Sequence, residues 1–149
     1  MTKRVQKADP NTGKISNFIL DHFIYTGALL QLAAGQTLSI SIPIEADSMF
    51  TVVKSSYFAD IAGAAQTADT RVIPLIDVSI TDSGSGRNLQ NSPVPLNSFG
   101  GDGGLPMVWP VPREFNASAT ITMTLTNNSA TTTYSNIKVS LIGFKSFKV

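Results

Sequence analysis

A chain of 149 residues with a formal charge of +1 and no cysteine has the length of one domain, and it can form neither disulfides nor thiolate metal sites. Charged residues make up 14% of it, below the roughly 25% usual in soluble domains, so serine, threonine and asparagine are left to keep its surface polar. The balanced charge gives no long-range field to draw in nucleic acid or an anionic membrane, and no stretch approaches the roughly 20 apolar residues of a membrane-spanning helix. The basic start, MTKRVQKADP, is not followed directly by the apolar core of a secretory signal, so a soluble protein made in the cytoplasm is expected.

In chain order, residues 1–16 read as an N-terminal arm. Lys3, Arg4, Lys7 and Lys14 are scattered among polar residues, and Asp9-Pro10-Asn11-Thr12-Gly13 is a turn-like cluster. Two readings stand for this arm: a mobile terminus, or a basic segment reaching a neighbouring subunit or an acidic surface. Residues 17–149 read as a single domain. Residues 18–25 (FILDHFIY) have the length and composition of a strand. Residues 28–34 (ALLQLAA) have the propensity of a helical turn, too short to stand alone and stopped by Gly35.

Residues 36–44 give the cleanest strand, with Leu38, Ile40, Ile42 and Ile44 alternating with polar residues, and Pro43 marks an edge or a strand end. Residues 49–57 (MFTVVKSSY) form the next strand, with a bulge expected where Val52-Val53 blurs the alternation. Residues 59–70 read as a surface loop. A strand follows over residues 71–81, in which Ile76, Val78 and Ile80 share one face.

A long segment rich in Gly, Pro, Asn and Ser comes next. Prolines 93, 95, 106, 110 and 112 exclude a helix or a central strand there, leaving room for short strands near residues 94–96 and 107–109. Long apolar-studded loops of this kind are usually functional. Residues 119–127 (ATITMTLTN) alternate almost without fault, and residues 134–147 form the last strand, with Gly143 marking a bulge or a close backbone approach. Many short strands separated by turn signals predict an all-β, antiparallel sandwich of about eight strands. A jelly roll is the specific expectation, and an immunoglobulin- or fibronectin-like sandwich is the alternative.

Candidate chemistry is sparse. The one histidine, His22, lies mid-strand and reads as a sheet residue, so no His-rich metal site of the cupin kind is available. Asp77, Asp82 and Asp102 flank the central loop, and Glu45 and Asp47 share a turn, but none of these forms a recognisable calcium loop. Gly101 to Gly104 (GDGG) is followed by neither a Lys-Ser/Thr pair nor a helix, and reads as a flexible turn. Three readings are open for Phe99, Trp109 and Phe115: a plug closing the sandwich, a contact buried against a neighbouring subunit, and a stacking platform for sugar rings.

Several segments occur in a recognisable order: EADSMF, IDVSITDSGSGRNLQNSPVP, Phe99-Gly100, VWPVPREF, TITMTLTN and NIKVSLIGFKSF. Together, over roughly residues 36 to 147, they resemble the small jelly-roll decoration or cement proteins of tailed bacteriophage heads, and related minor head components. The resemblance implies a structural virion protein on the capsid exterior, with no enzymatic role and no cofactor. Its partner would be the major capsid protein, and it would self-associate as a homotrimer without binding nucleic acid or membrane. Candidate subunit or capsid contacts are then Lys3, Arg4, Lys7, Phe99, Trp109 and Phe115. A neck or tail protein and a carbohydrate- or receptor-binding module are the alternative functions.

Overall fold

The computed structural model describes residues 2–63 and 72–149, and over these the chain is built almost wholly from antiparallel strands. In order they are β1 (Lys3–Ala8), β2 (Ile15–Leu32), β3 (Thr37–Pro43), β4 (Met49–Ile61), β5 (Ile76–Asp82), β6 (Arg87–Asn88), β7 (Val94–Pro95), β8 (Met107–Phe115), β9 (Thr120–Asn127) and β10 (Tyr134–Lys148). One helical turn, α1 (Leu96–Phe99), follows β7. The period-two segments of the sequence become β3, β5, β9 and β10, because alternation is the pattern that a half-buried strand satisfies.

One sheet has the order β1-β2-β10-β4-β8, and the other β3-β9-β5-β6, with β7 also paired to β5. The pairings nest: β2 with β10, β3 with β9, β4 with β8, and β5 with β6 and β7. This is one long antiparallel hairpin rolled over on itself, the jelly-roll order. Between the sheets, Phe50, Val52, Ile137 and Leu141 face Ile76, Ile80, Ile121 and Met123, all at most 1% exposed. Each such side chain contributes about 1.5–3 kcal/mol by leaving water.

The bulge at Val52-Val53 is present, since β4 carries one residue more than β10 between the Lys54–Ile142 and Val52–Gly143 pairs. Of residues 28–34, read as a helical turn, 28–32 instead continue β2, paired from Ala28–Lys138 to Leu32–Tyr134. A ladder of backbone hydrogen bonds to a neighbouring strand outweighs a few tenths of a kcal/mol of helix propensity per residue. The N-terminal arm lies along the sheet as β1, paired with β2 from Lys3–Leu20 to Ala8–Ile15. Its turn is built by Asp9, whose Oδ1 accepts the N–H groups of Asn11 and Thr12, and by Gly13 at φ 67°. Most of the expected loop at residues 59–70 lies outside the described residues, whereas Ala59 to Ile61 extend β4.

The outer faces of the two sheets differ. On the β3/β9 side, hydroxyls pair across strands, Thr37 with Thr126 and Ser39 with Thr124, each at 3.0 Å. On the β2/β10/β4 side, the outward positions include Phe18, Leu20, Ile24, Ile142 and Phe144, which are half-buried or exposed. Val5, Phe18, Leu20, Met49 and Phe144 line a trough of about 240 Å³ on that face. At one end of the core, the Lys145 amine pairs with Glu45 and sits 3.9 Å from the centroid of the Phe23 ring. Burial alone would lower the Lys145 pKa, but the hydrogen bond and charge of Glu45 more than offset this and hold it above its ordinary value.

Candidate functional site

The proline-rich stretch adopts an unusual form of edge strand. The β4–β8 ladder runs through Phe50–Phe115, Thr51–Glu114 and Val52–Arg113, then resumes at Lys54–Val108. Between these pairs β4 has only Val53, while β8 has residues 109–112. The four residues Trp-Pro-Val-Pro therefore arch away from β4. An arch is where two residues without an N–H fit into a strand at no cost in ladder bonds.

Beneath the arch lies a cleft of about 460 Å³, bounded on its far side by residues from 88 to 99. Trp109 forms its inner wall. The indole N–H donates to Ser55 Oγ at 2.9 Å, and the Ser55 hydroxyl in turn donates to the carbonyl of Phe99 at 2.7 Å. The Phe99 ring meets the indole edge-on, with centroids 5.6 Å apart at 77°. Ser55 is fully buried, so the polar edge of the indole is satisfied inside the protein, while Trp109 as a whole is partly buried and lines the cleft. Ser55→Ala would leave both the indole N–H and the Phe99 carbonyl without a partner. We expect a loss of about 1–3 kcal/mol, measured by urea denaturation, with red-shifted emission from the one tryptophan.

Arg113 closes one end of the cleft. Its guanidinium donates to Asp82 Oδ2 and to Ser85 Oγ, both at 3.1 Å, joining β8 to β5 of the opposite sheet. Asp82 also accepts from the Ser85 hydroxyl and from the Gly84 N–H. Burial raises the Asp82 pKa, but these hydrogen bonds and the Arg113 charge outweigh it and hold the carboxyl below the ordinary carboxylate value of 3.8. A depressed carboxyl stabilises the fold above its unfolded-state pKa and loses that contribution as pH falls through the folded-state value. Melting temperature should therefore drop more steeply below pH ~4 in the wild type than in Asp82→Asn, and parallel pH profiles would contradict this assignment.

The structure separates the residues singled out from sequence. Lys3, Arg4 and Lys7 are exposed on β1, at the edge of the sheet opposite β8. Trp109 and Phe99 both line the cleft, Phe99 at 9% exposure, whereas Phe115 is 0% exposed. These two phenylalanines belong to the buried core, and strand pairing turns Phe115 inward beside Phe50. His22 is exposed on β2. The GDGG segment is a turn organised by Asp102, whose Oδ1 accepts the N–H groups of Gly104 and Leu105.

Ser55, Gln90 and Arg113 were not legible as site residues. Their only sequence signal is nearness, for the last two, to the proline-rich stretch. Among the described residues, no group of three His, Cys, Asp or Glu side chains is placed to hold a metal ion, and no helix is long and apolar enough to cross a membrane. No protein-family model and no curated protein matches the sequence.

Proposed function

We propose that this chain is a structural virion protein of a tailed bacteriophage, a decoration or cement protein that binds the major capsid protein on the outside of the shell. The observation that carries the reading is the apolar surface left on the jelly roll. One sheet is faced with paired hydroxyls, whereas the other presents Phe18, Leu20, Ile24 and Phe144 outward. The β8 edge adds Leu105, Val108 and Val111, each more than 60% exposed. Contiguous apolar patches on a small domain are sites where other proteins dock. The order of segments that resembles phage head proteins supports the same reading.

Lys3, Arg4 and Lys7, exposed on an edge strand, suit contact with an acidic surface. A homotrimer would engage a shell at three points together, which strengthens weak contacts by multivalency. Electron microscopy of particles from the encoding phage, with the chain labelled by antibody, tests the proposal. Label distributed over the head is expected. Label confined to the neck or tail would replace this reading with that of a neck or tail component, and unlabelled particles would overturn both. Light scattering across a concentration series tests the trimer separately.

A further inference from the structure

We propose that the outer face of the β1-β2-β10-β4-β8 sheet docks an acidic segment of another polypeptide, held by lysines that share the face with an apolar trough. Strand register defines the face. On β10, Val139, Leu141 and Gly143 are buried against the core, so Lys138 and Lys148 stand on the opposite side with Ile142 and Phe144. Lys54 pairs with Ile142, and Lys3 pairs with Leu20, which is itself opposite Ser146. Lys7 lies four positions beyond Lys3 on β1, and an even spacing keeps it on the same side. All five lysines are exposed. Arg4, paired with Ile19, is one position out of phase and belongs to the other face.

The charge on this face is unmatched. Among the described residues, Glu114, paired with Thr51 opposite Phe144, is the one exposed carboxylate that these strands carry there. The chain has nearly as many acids as bases, but several of its carboxylates are committed elsewhere. Glu45 pairs with Lys145 and Asp82 with Arg113, while Asp9 and Asp102 accept the N–H groups of their own turns. None of the five lysines takes part in an ion pair among the described residues. A protein with a net charge of +1 thus gathers unpaired cations on one sheet face, where their fields add.

Charge and trough together select the occupant. The trough, with Phe18, Leu20, Met49 and Phe144 in its lining, offers a seat for an apolar side chain, and partners bury their anchors in such seats. A second copy of this chain suits the face poorly. Its own lysine face would repel, and its other sheet, faced with hydroxyls, bears Asp77 as the one outward carboxylate of its described strands. A nucleic acid strand seated here would bring its phosphates against Glu114, which lines the trough. A flat lipid surface would leave the half-buried rings of Phe18 and Phe144 untouched. An acidic polypeptide meets both parts of the surface, with carboxylates for the lysines and an apolar side chain for the trough. That the segment belongs to the shell protein rests on the decoration reading; its chemistry does not.

The test is a random-peptide display library selected on the full-length protein, followed by titration of the selected peptides, of single-stranded DNA and of phosphatidylserine vesicles. Two variants accompany it. The triple change Lys54→Gln, Lys138→Gln and Lys148→Gln removes three charges from exposed positions, and Val5→Asp sets a carboxylate in the trough from an edge strand. Circular dichroism checks both for an unchanged fold. The selected peptides should be rich in Asp and Glu and carry a large apolar residue. Their affinity should fall about tenfold or more in each variant, and should fall with rising salt. The proposal is overturned if no peptide is selected, if the selected peptides lack net negative charge, or if the folded triple variant binds them as well as the wild type. Tighter binding of DNA or vesicles would assign the face to that ligand and overturn it as well. Head-labelled particles of a chain that selects no acidic peptide would keep the decoration reading and remove this one. Acidic peptides bound by a chain absent from the particles would do the reverse.

Discussion

Gly143→Ala is expected to cost at least about 3 kcal/mol, a large part of the 5–15 kcal/mol that holds a domain of this size together. Gly143 lies in β10, the strand flanked by both β2 and β4, at the point where β4 carries its extra residue. A Cβ placed there would come 1.9 Å from the carbonyl oxygen of Thr51, 2.8 Å from its carbon and 3.0 Å from Val52 Cα. All three atoms belong to the backbone of β4, so no side-chain rotation relieves the contact. The strand would have to move by roughly an ångström and break its ladder with β10.

Backbone conformation is not the constraint, because Gly143 is not among the glycines with positive φ. Two other glycines calibrate the result. Gly103 has nothing within 4 Å of its missing Cβ, so Gly103→Ala should change stability by no more than about 0.5 kcal/mol. At Gly27 the nearest atom is Ile40 Cγ2, the tip of a side chain that can shift, so Gly27→Ala should fall between the two. Urea denaturation followed by Trp109 emission ranks the three. A Gly143→Ala midpoint beside that of Gly103→Ala would show that β4 yields freely.

Gly143 also illustrates what could be read before the fold was known. A glycine interrupting an alternating strand signals close approach, and the doubled valine at 52 and 53 signals a bulge. The fold adds that the two are one feature, the extra residue of β4 passing over the missing side chain of β10. Alternation made β3, β5, β9 and β10 legible, because one buried and one wet face leave a period-two record in the residues themselves. Where both faces touch apolar surroundings the record blurs: residues 18–25 read as a strand, but not as one whose outer side chains form a trough.

Residues 28–32 misled because propensity is local, whereas their partner, β10, lies more than a hundred positions away. The cleft was half visible for the same reason. Its prolines and tryptophan are contiguous, so the arch could be anticipated. Ser55, which pins the indole, sits 54 residues from Trp109, and Arg113 reaches Asp82 across 31. Only the register of β4 against β8, and the rolling of one sheet over the other, bring those groups together.

Asn127→Asp is the second substitution expected to have a large effect, and at neutral pH it should be more damaging than Asn127→Ala. Asn127 ends β9 and is completely buried. Its side-chain amide donates to the carbonyls of Leu32 and Ala33, both at 3.1 Å, and of Thr132 at 2.8 Å, while its Oδ1 accepts the Ser129 N–H at 2.9 Å. One side chain thus ties the end of β2 to the connection between β9 and β10, with two hydrogens shared among three carbonyls. Truncation to alanine leaves buried backbone groups unpaired and should cost about 3 kcal/mol.

Aspartate has nearly the same shape but turns an oxygen toward those three carbonyls. Its charge would be buried against the negative ends of three dipoles, so at pH 7 the loss should reach about 4–5 kcal/mol. The same geometry fixes the pH dependence. Burial and the carbonyls raise the pKa of the new carboxyl in the folded state, so its ionisation penalty is absent below the unfolded value of about 4 and grows as pH rises toward the folded one. Protonated, the group can donate to one carbonyl. Stability measured relative to Asn127→Ala at each pH should therefore favour alanine at neutral pH and converge or reverse in acid. A pH-independent difference between the two variants would mean that water reaches this junction, and that Asn127 is a spacer and not a clasp.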